Sequence, residues 1–180
     1  LSFEQLSFEQ LSFEQLSMDY AVRALTVEDE PILWTMLMYA AQEPSLESVQ
    51  KQPYLSCYVG GWGRVGDVGF GAFINEVPVG AVWLRLWSDS DRGFGYTDPA
   101  IPELAMAVLP EYRGEGVGTK LLTQILETAQ DRFPAVCLNV RANNPVVGLY
   151  QRAGFIKVEG SDVVNRTGGI SFNMICKFTR

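Results

Sequence analysis

The sequence predicts an α/β (α+β) domain in which a mixed central sheet is flanked by helices. Three observations predict it. Two β-rich runs, 68–75 and 79–87, are joined by the turn-forming Asn75-Glu76-Val77-Pro78. An apolar strand over 103–109 leads through a glycine-rich turn into an amphipathic helix over 116–132, with Val117, Leu121, Leu122, Ile125 and Leu126 on its apolar side. Along the chain the elements order as βααβββαβαββ, which mixes hairpins with a helical crossover.

The chain opens with Leu-Ser-Phe-Glu-Gln three times, then Leu16-Ser17-Met18. A period of five matches neither the helix nor the strand repeat. Residues 1–17 are therefore expected as a duplicated leader outside the fold, with Met18 as an original start and 18–180 as one domain. The alternative is an arm that docks on a neighbouring chain, which leaves a homodimer possible. Residues 20–25 read as the first strand. Thr26-x-x-Asp29 approximates a capping box and Pro31 fits a first helical turn, so a helix follows through Ile32, Leu33, Met36, Leu37 and Ala40. Residues 44–52 suggest a second short helix. Residues 59–69 carry five glycines and read as a loop, as does the polar stretch 88–102. Pro110 ends the central strand. A strand is expected over 135–141, a helix over 145–153 stopped by Gly154, and closing strands over 155–159 and 170–178.

Composition excludes several functions. Apolar residues make up 47% of the 180, enough for a packed core, and charged residues 19%. A formal charge of −7 argues against a nucleic-acid surface, which needs a basic face. The chain has no histidine, so Ser-His and Cys-His relays and His-ligated metals are excluded, and no metal cofactor is expected. Cys57, Cys137 and Cys176 are scattered and form no CxxC pair, which fits reduced thiols in a cytoplasmic protein. No apolar run approaches the roughly 20 residues of a membrane span, and residues 1–17, with three Glu and no Lys or Arg, do not resemble a signal peptide.

The strongest chemical signal is Arg113-Gly114-Glu115-Gly116-Val117-Gly118-Thr119. Glycine is needed where backbone closely approaches a ligand or takes left-handed dihedrals. The unpaired N–H groups and the dipole of the following helix favour an anion there. Arg113 adds a cation and Thr119 a hydroxyl donor, while Glu115 is expected to point to solvent. The spacing is neither that of a Walker loop nor G-x-G-x-x-G. Taken alone, the loop could also be a flexible glycine turn.

Arg113-x-x-Gly116-x-Gly118, preceded by Met106–Tyr112 and followed by Asn144-Pro145-x-x-x-Leu149-Tyr150-x-x-x-Gly154-Phe155, resembles the GNAT (GCN5-related) N-acetyltransferase superfamily. The resemblance is firm over 101–157, consistent in element order from about residue 20, and does not cover the leader. It implies the GNAT acyl-CoA N-acyltransferase fold and acetyl-CoA as co-substrate. Backbone groups of Met106, Ala107 and Val108 would pair with the pantetheine arm. The N–H of Val108 or Leu109 would polarise the thioester carbonyl. Gly114, Glu115, Gly116, Val117, Gly118 and Thr119 would cradle the pyrophosphate beside Arg113. Asn144, or Asn143 by the spacing of some members, would hydrogen-bond the coenzyme, and Tyr150 would sit near its sulfur.

The implied reaction moves acetyl to the primary amine of a small molecule or peptide. Such an amine, with a pKa near 10.4, must first lose a proton. Glu103 is the candidate base, or else an edge carboxylate with water alone as acceptor; the fifth-strand position where some members carry a glutamate is Asn139 here. Tyr150 would protonate the leaving thiolate, or else pack as an aromatic. Trp62, Arg64, Asp67, Trp83, Arg85, Trp87 and Tyr96 are candidates for the acceptor pocket. An alternative within the same fold is a sensor that binds acyl-CoA without turnover.

Overall fold

A computed structural model describes residues 19–179. The expected leader lies outside the described residues. β1 (Ala21–Ala24) is followed by a short 3₁₀ turn and α1 (Glu30–Ala40), then α2 (Leu46–Lys51) and α3 (Pro53–Ser56). β2 (Val68–Ile74), β3 (Val77–Arg85) and β4 (Glu103–Val108) lead to α4 (Val117–Gln130) and β5 (Ala135–Arg141). α5 (Val146–Arg152), β6 (Ile156–Lys157), β7 (Val163–Val164) and β8 (Ile170–Lys177) complete the domain.

The strands form one sheet in the order β1-β2-β3-β4-β5-β8-β6, with β7 also on β8. Every pairing is antiparallel except β4 with β5, the two strands joined by the α4 crossover. The sheet is covered on both faces. Leu121, Leu122 and Ile125 of α4 pack on Val82, Leu84, Leu104, Val136 and Leu138. On the other face Leu33, Met36, Val49 and Leu55 pack on Ala81, Trp83 and Ala107. Burial on both faces explains why β3 reads as an apolar run rather than an alternation.

The predicted elements are present, with local differences that have physical reasons. The hairpin turn is only two residues, Asn75 (φ 47°) and Glu76 (φ 66°), so β3 begins at Val77. Pro78 is tolerated because the ladder shifts register at Ala72/Phe73, next to its partner Phe73. The short helix expected over 44–52 is α2, and a further helix not expected from the sequence, α3, follows it at once. Gln52, which precedes Pro53, is extended (φ −98°, ψ 107°), as a residue before proline prefers, and breaks the run. β6 is shorter than expected, and the two-residue β7 carries too little pattern to be read from sequence. Asp29 accepts from the Thr26 backbone N–H at 2.7 Å, the reciprocal half of the predicted capping box.

Candidate active site

The cleft begins where one strand pairing stops. β4 and β5 pair only at Glu103↔Cys137. On its other edge β4 is fully paired with β3, and Leu109 donates to the Val79 carbonyl at 2.8 Å. That bond fixes the alternation: odd positions turn their N–H to β3 and even positions turn theirs to β5. Beyond Glu103↔Cys137 the N–H groups of Met106 and Val108 therefore face the opening with no strand partner. Of the two amides considered for the thioester carbonyl, Leu109 is spent; Val108, and Met106 on the same edge, have no partner among the described residues. The Val108 carbonyl accepts from Arg113 Nε at 3.0 Å, which ties the loop arginine to the strand edge.

The glycine loop is built as the anion argument requires. Gly114 (φ 80°) and Gly116 (φ 81°) are left-handed, and Gly116 is the N-cap of α4. Among the described residues, no atom beyond the adjoining residues lies within 4 Å of where a Cβ would stand at either, so none of them fills the space over the loop. Gly118, the second residue of the helix, lies against Leu149, Met106 and Val108, which joins loop, β4 edge and α5. Glu115 and Thr119 are exposed and Val117 is buried. Tyr20 donates to the Gly116 carbonyl at 3.3 Å, and Lys120 Nζ lies 5.2 Å from the Tyr20 ring centre. A coenzyme with a pyrophosphate and an extended amide arm fits this arrangement: Gly114–Thr119 would hold the first and the Met106–Val108 edge the second.

Asn144 Oδ1 accepts the Val146 N–H at 3.0 Å, an Asx turn just before α5 that leaves the amide NH₂ to donate; Asn143 is exposed. Tyr150 is buried against Phe155, ring centres 5.6 Å apart, and burial raises its phenol above the ordinary value. Among the described residues its hydroxyl has no hydrogen-bond partner. Asn139 Nδ2 donates to Asn173 Oδ1 across β5 and β8 at 2.9 Å.

Glu103 is 2% exposed. Its carboxylate accepts from the Tyr58 hydroxyl, Trp87 Nε1 (3.1 Å) and the Gly95 N–H (2.8 Å). Burial pushes its carboxyl up to about 7, and the three donors pull partly against that. Burial and the neighbouring Glu103 charge hold the Tyr58 phenol well above its ordinary value. At a rise of about 3.3 Å per residue, Glu103 lies ~10 Å along the strand from Met106 and ~17 Å from Val108.

The structure brings together residues that the sequence leaves apart. Tyr58 and the Gly93–Gly95 segment complete the Glu103 environment; the alternation Gly93-Phe94-Gly95-Tyr96 is the one sequence signal for them. Most candidates for the acceptor pocket are core instead. Trp62 and Trp83 are buried with their indole N–H groups on the Thr26 and Tyr58 carbonyls. Arg85 and Asp67 form a buried pair. Arg64 pairs with Asp91, Trp87 serves Glu103, and Tyr96 is half-buried beneath Arg92. Among the described residues no cluster of three or more His, Cys, Asp or Glu could hold a metal, and no helix is long and apolar enough to cross a membrane.

Comparison with known proteins agrees with this geometry. The sequence model of the Acetyltransferase (GNAT) family matches residues 20–155. N-alpha-acetyltransferase 50 of Danio rerio is 28% identical over 99 residues, which span 53% of this chain and 55% of that protein, so the match covers about half of the curated relative. The ribosomal-protein-S18-alanine N-acetyltransferase of Escherichia coli superposes with a TM-score of 0.65 at 18% identity, over 90% of this chain and 96% of that one. The PaiA N-acetyltransferase of Thermoplasma acidophilum, solved with coenzyme A, gives 0.59 at 20% identity, over 89% and 100%. At these identities the structural likenesses establish the fold.

Proposed function

Because the chain belongs to the Acetyltransferase (GNAT) family, we propose that it transfers the acetyl group of acetyl-CoA to a primary amine by direct attack. The observation that carries this reading is the unpaired Met106–Val108 edge beside left-handed Gly114 and Gly116 at the start of α4. Bound acetyl-CoA supplies the activated acetyl thioester. The freed N–H of Val108 or Met106 donates to the thioester oxygen and stabilises negative charge that develops there. Asn144 donates its amide to the coenzyme. Tyr150 delivers a proton to the departing sulfur: burial keeps its phenol protonated at neutral pH, so the proton is present to give, and the developing thiolate charge beside it is what draws that proton off.

The amine must lose a proton before it attacks. The strand spacing leaves Glu103 too far to touch an amine poised at Met106 or Val108. Glu103 is therefore proposed as the terminus of a water-mediated path and as a positioning residue that pins Tyr58 and Gly95, with an affinity for protons near neutrality that suits acceptance.

The test is release of free CoA thiol from acetyl-CoA against amino acids, polyamines and peptide N-termini. Release that depends on an amine, with an acetylated product of matching mass, is the expected result. Tight acetyl-CoA binding with no release for any amine would overturn the transferase reading in favour of a sensor.

A further inference from the structure

The acceptor side of the cleft is bounded by groups that acetyl transfer itself leaves unused. A Cβ on Gly95 would stand 2.8 Å from the Leu138 carbonyl carbon and 2.9 Å from the Asn139 nitrogen. The Gly93–Tyr96 segment therefore rests on β5 just past Cys137, at the closed end of the cleft. Phe94 projects from that segment, 49% exposed, its backbone held by an N–H bond to the Tyr58 hydroxyl at 2.8 Å. Its ring meets Tyr54 edge-on at 5.9 Å, and Tyr54 is 42% exposed.

Two arginines continue the rim. Arg166, in the turn before β8, lies over the Tyr54 ring at 5.6 Å, pairs with Glu43 and reaches the Ala41 carbonyl at 3.3 Å. Arg141, the last residue of β5, bonds the Gln42 side chain and reaches the same carbonyl at 3.4 Å. Segments far apart in sequence thus close into one border around the end of β5: Phe94, Tyr54, Arg166, residues 41–43 and Arg141. Large exposed aromatics on a rigid frame beside a cleft mark a contact surface rather than core.

Charge decides what that surface suits. On a chain of net charge −7 this border holds two arginines against one carboxylate, Glu43, which Arg166 already neutralises. Glu103, beneath the Gly93–Gly95 segment, is sealed by three donors. A polycation finds no free counter-charge there. An apolar group finds two aromatic faces, and a carbonyl oxygen next to the amine finds arginine N–H donors.

We infer that Phe94 and Tyr54 wall a side-chain subsite for the acceptor, and that the favoured acceptor is a peptide α-amine followed by a large apolar side chain rather than a polycationic amine. The inference rests on the transferase reading for the identity of the reaction, but it makes a separate claim about the subsite. Burying one large apolar side chain there is worth enough for a preference of tenfold or more.

The experiment compares kcat/KM for CoA release with a peptide beginning in Leu, the same peptide beginning in Ser, and spermidine. The Leu peptide is expected to exceed both by at least tenfold. Phe94→Ala is expected to collapse the Leu-to-Ser ratio about tenfold, chiefly through KM, while Phe94→Leu retains most of it. Tyr54→Leu gives a second reading should Phe94→Ala fail to fold. Preference for spermidine, or a Leu-to-Ser ratio unmoved by these substitutions, would overturn the inference. Absence of turnover with every amine would sink the transferase reading instead. Equilibrium binding to the CoA-loaded chain would then decide the subsite: Leu-peptide binding weakened by Phe94→Ala supports it, and tighter binding of spermidine overturns it.

Discussion

Glu103 and Cys137 are the one position at which β4 and β5 pair. Everything proposed for the cleft follows from where that pairing stops. One residue pair further along would consume the Met106 amide, and the edge that receives the coenzyme arm would begin later. Pro102 helps set the point, because its carbonyl accepts the Cys137 N–H at 3.0 Å immediately before the strands part. The carboxyl of Glu103 therefore sits at the apex of the cleft.

That placement makes stability depend on pH. Burial raises the Glu103 carboxyl from an ordinary 4.5 to about 7 in the folded chain. The folded state thus holds this proton more tightly than the unfolded state. The contribution is complete below about pH 4.5 and is lost as pH climbs through about 7, a difference of ~3 kcal/mol at ~1.4 kcal/mol per unit. Glu103→Gln keeps an oxygen for Trp87 and Gly95 and has no proton to lose. Urea midpoints between pH 5 and pH 8 are expected to fall in the parent relative to this variant. Parallel pH profiles would remove Glu103 as the source.

Tyr150→Phe is expected to lower kcat by about 10²-fold, the scale of a lost general acid, with acetyl-CoA affinity changed less than about twofold. The ring packs on Phe155 and the hydroxyl has no partner among the described residues, so the substitution leaves the core intact. Single-turnover rates with equilibrium binding check it. An unchanged rate assigns Tyr150 to packing alone.

Two glycines separate strain from collision. Gly116→Ala meets no atom beyond the adjoining residues within 4 Å among the described residues but must hold φ 81°, at a cost of about 1 kcal/mol. Gly95→Ala drives a Cβ to within 3 Å of β5 backbone atoms, which cannot rotate away, and of the Glu103 carboxyl carbon, whose side chain three donors hold in place. Its expected cost is about 3 kcal/mol, at the upper end of overpacking. Thermal denaturation of the two variants should rank them in that order. A milder Gly95→Ala would mean that the 93–96 segment lifts off β5, and with it the rim that carries Phe94.

How much of this was legible in sequence depends on how local each cause is. β5 was readable to its ends because its apolar residues and flanking turns are contiguous. The Arg113–Thr119 loop was readable because strand, glycines and helix follow one another in the chain. The Glu103 environment was not, since Tyr58 lies 45 residues away and Gly95 belongs to a loop with no periodicity. The loop tryptophans and arginines point the same lesson in reverse. Trp62 and Arg85 have the residue types of a binding surface, yet tertiary partners bury them.

Arg85 carries the last prediction. Its side chain and that of Asp67 are 1% and 3% exposed, joined by two bonds of 2.9 and 3.1 Å. The remaining guanidinium nitrogen donates to the Cys57 and Gly60 carbonyls at 2.8 and 2.7 Å. Asp67 in turn accepts the Gly63 and Arg64 N–H groups, so this one pair ties β3 to both ends of the 57–67 loop. Lysine cannot reproduce a planar fork that serves one carboxylate and two carbonyls. Arg85→Lys leaves some of these acceptors dry and unpaired, and Arg85→Ala leaves a buried carboxylate without its cation, with an expected loss of ~3–5 kcal/mol for the latter. Because Tyr58 lies within this loop, its hold on Glu103 and Phe94 should loosen as well. Urea denaturation measures the first effect. Flattening of the Glu103-dependent pH profile in Arg85→Lys measures the second, and a destabilised variant with that profile intact would show that the loop and the cleft apex are independent.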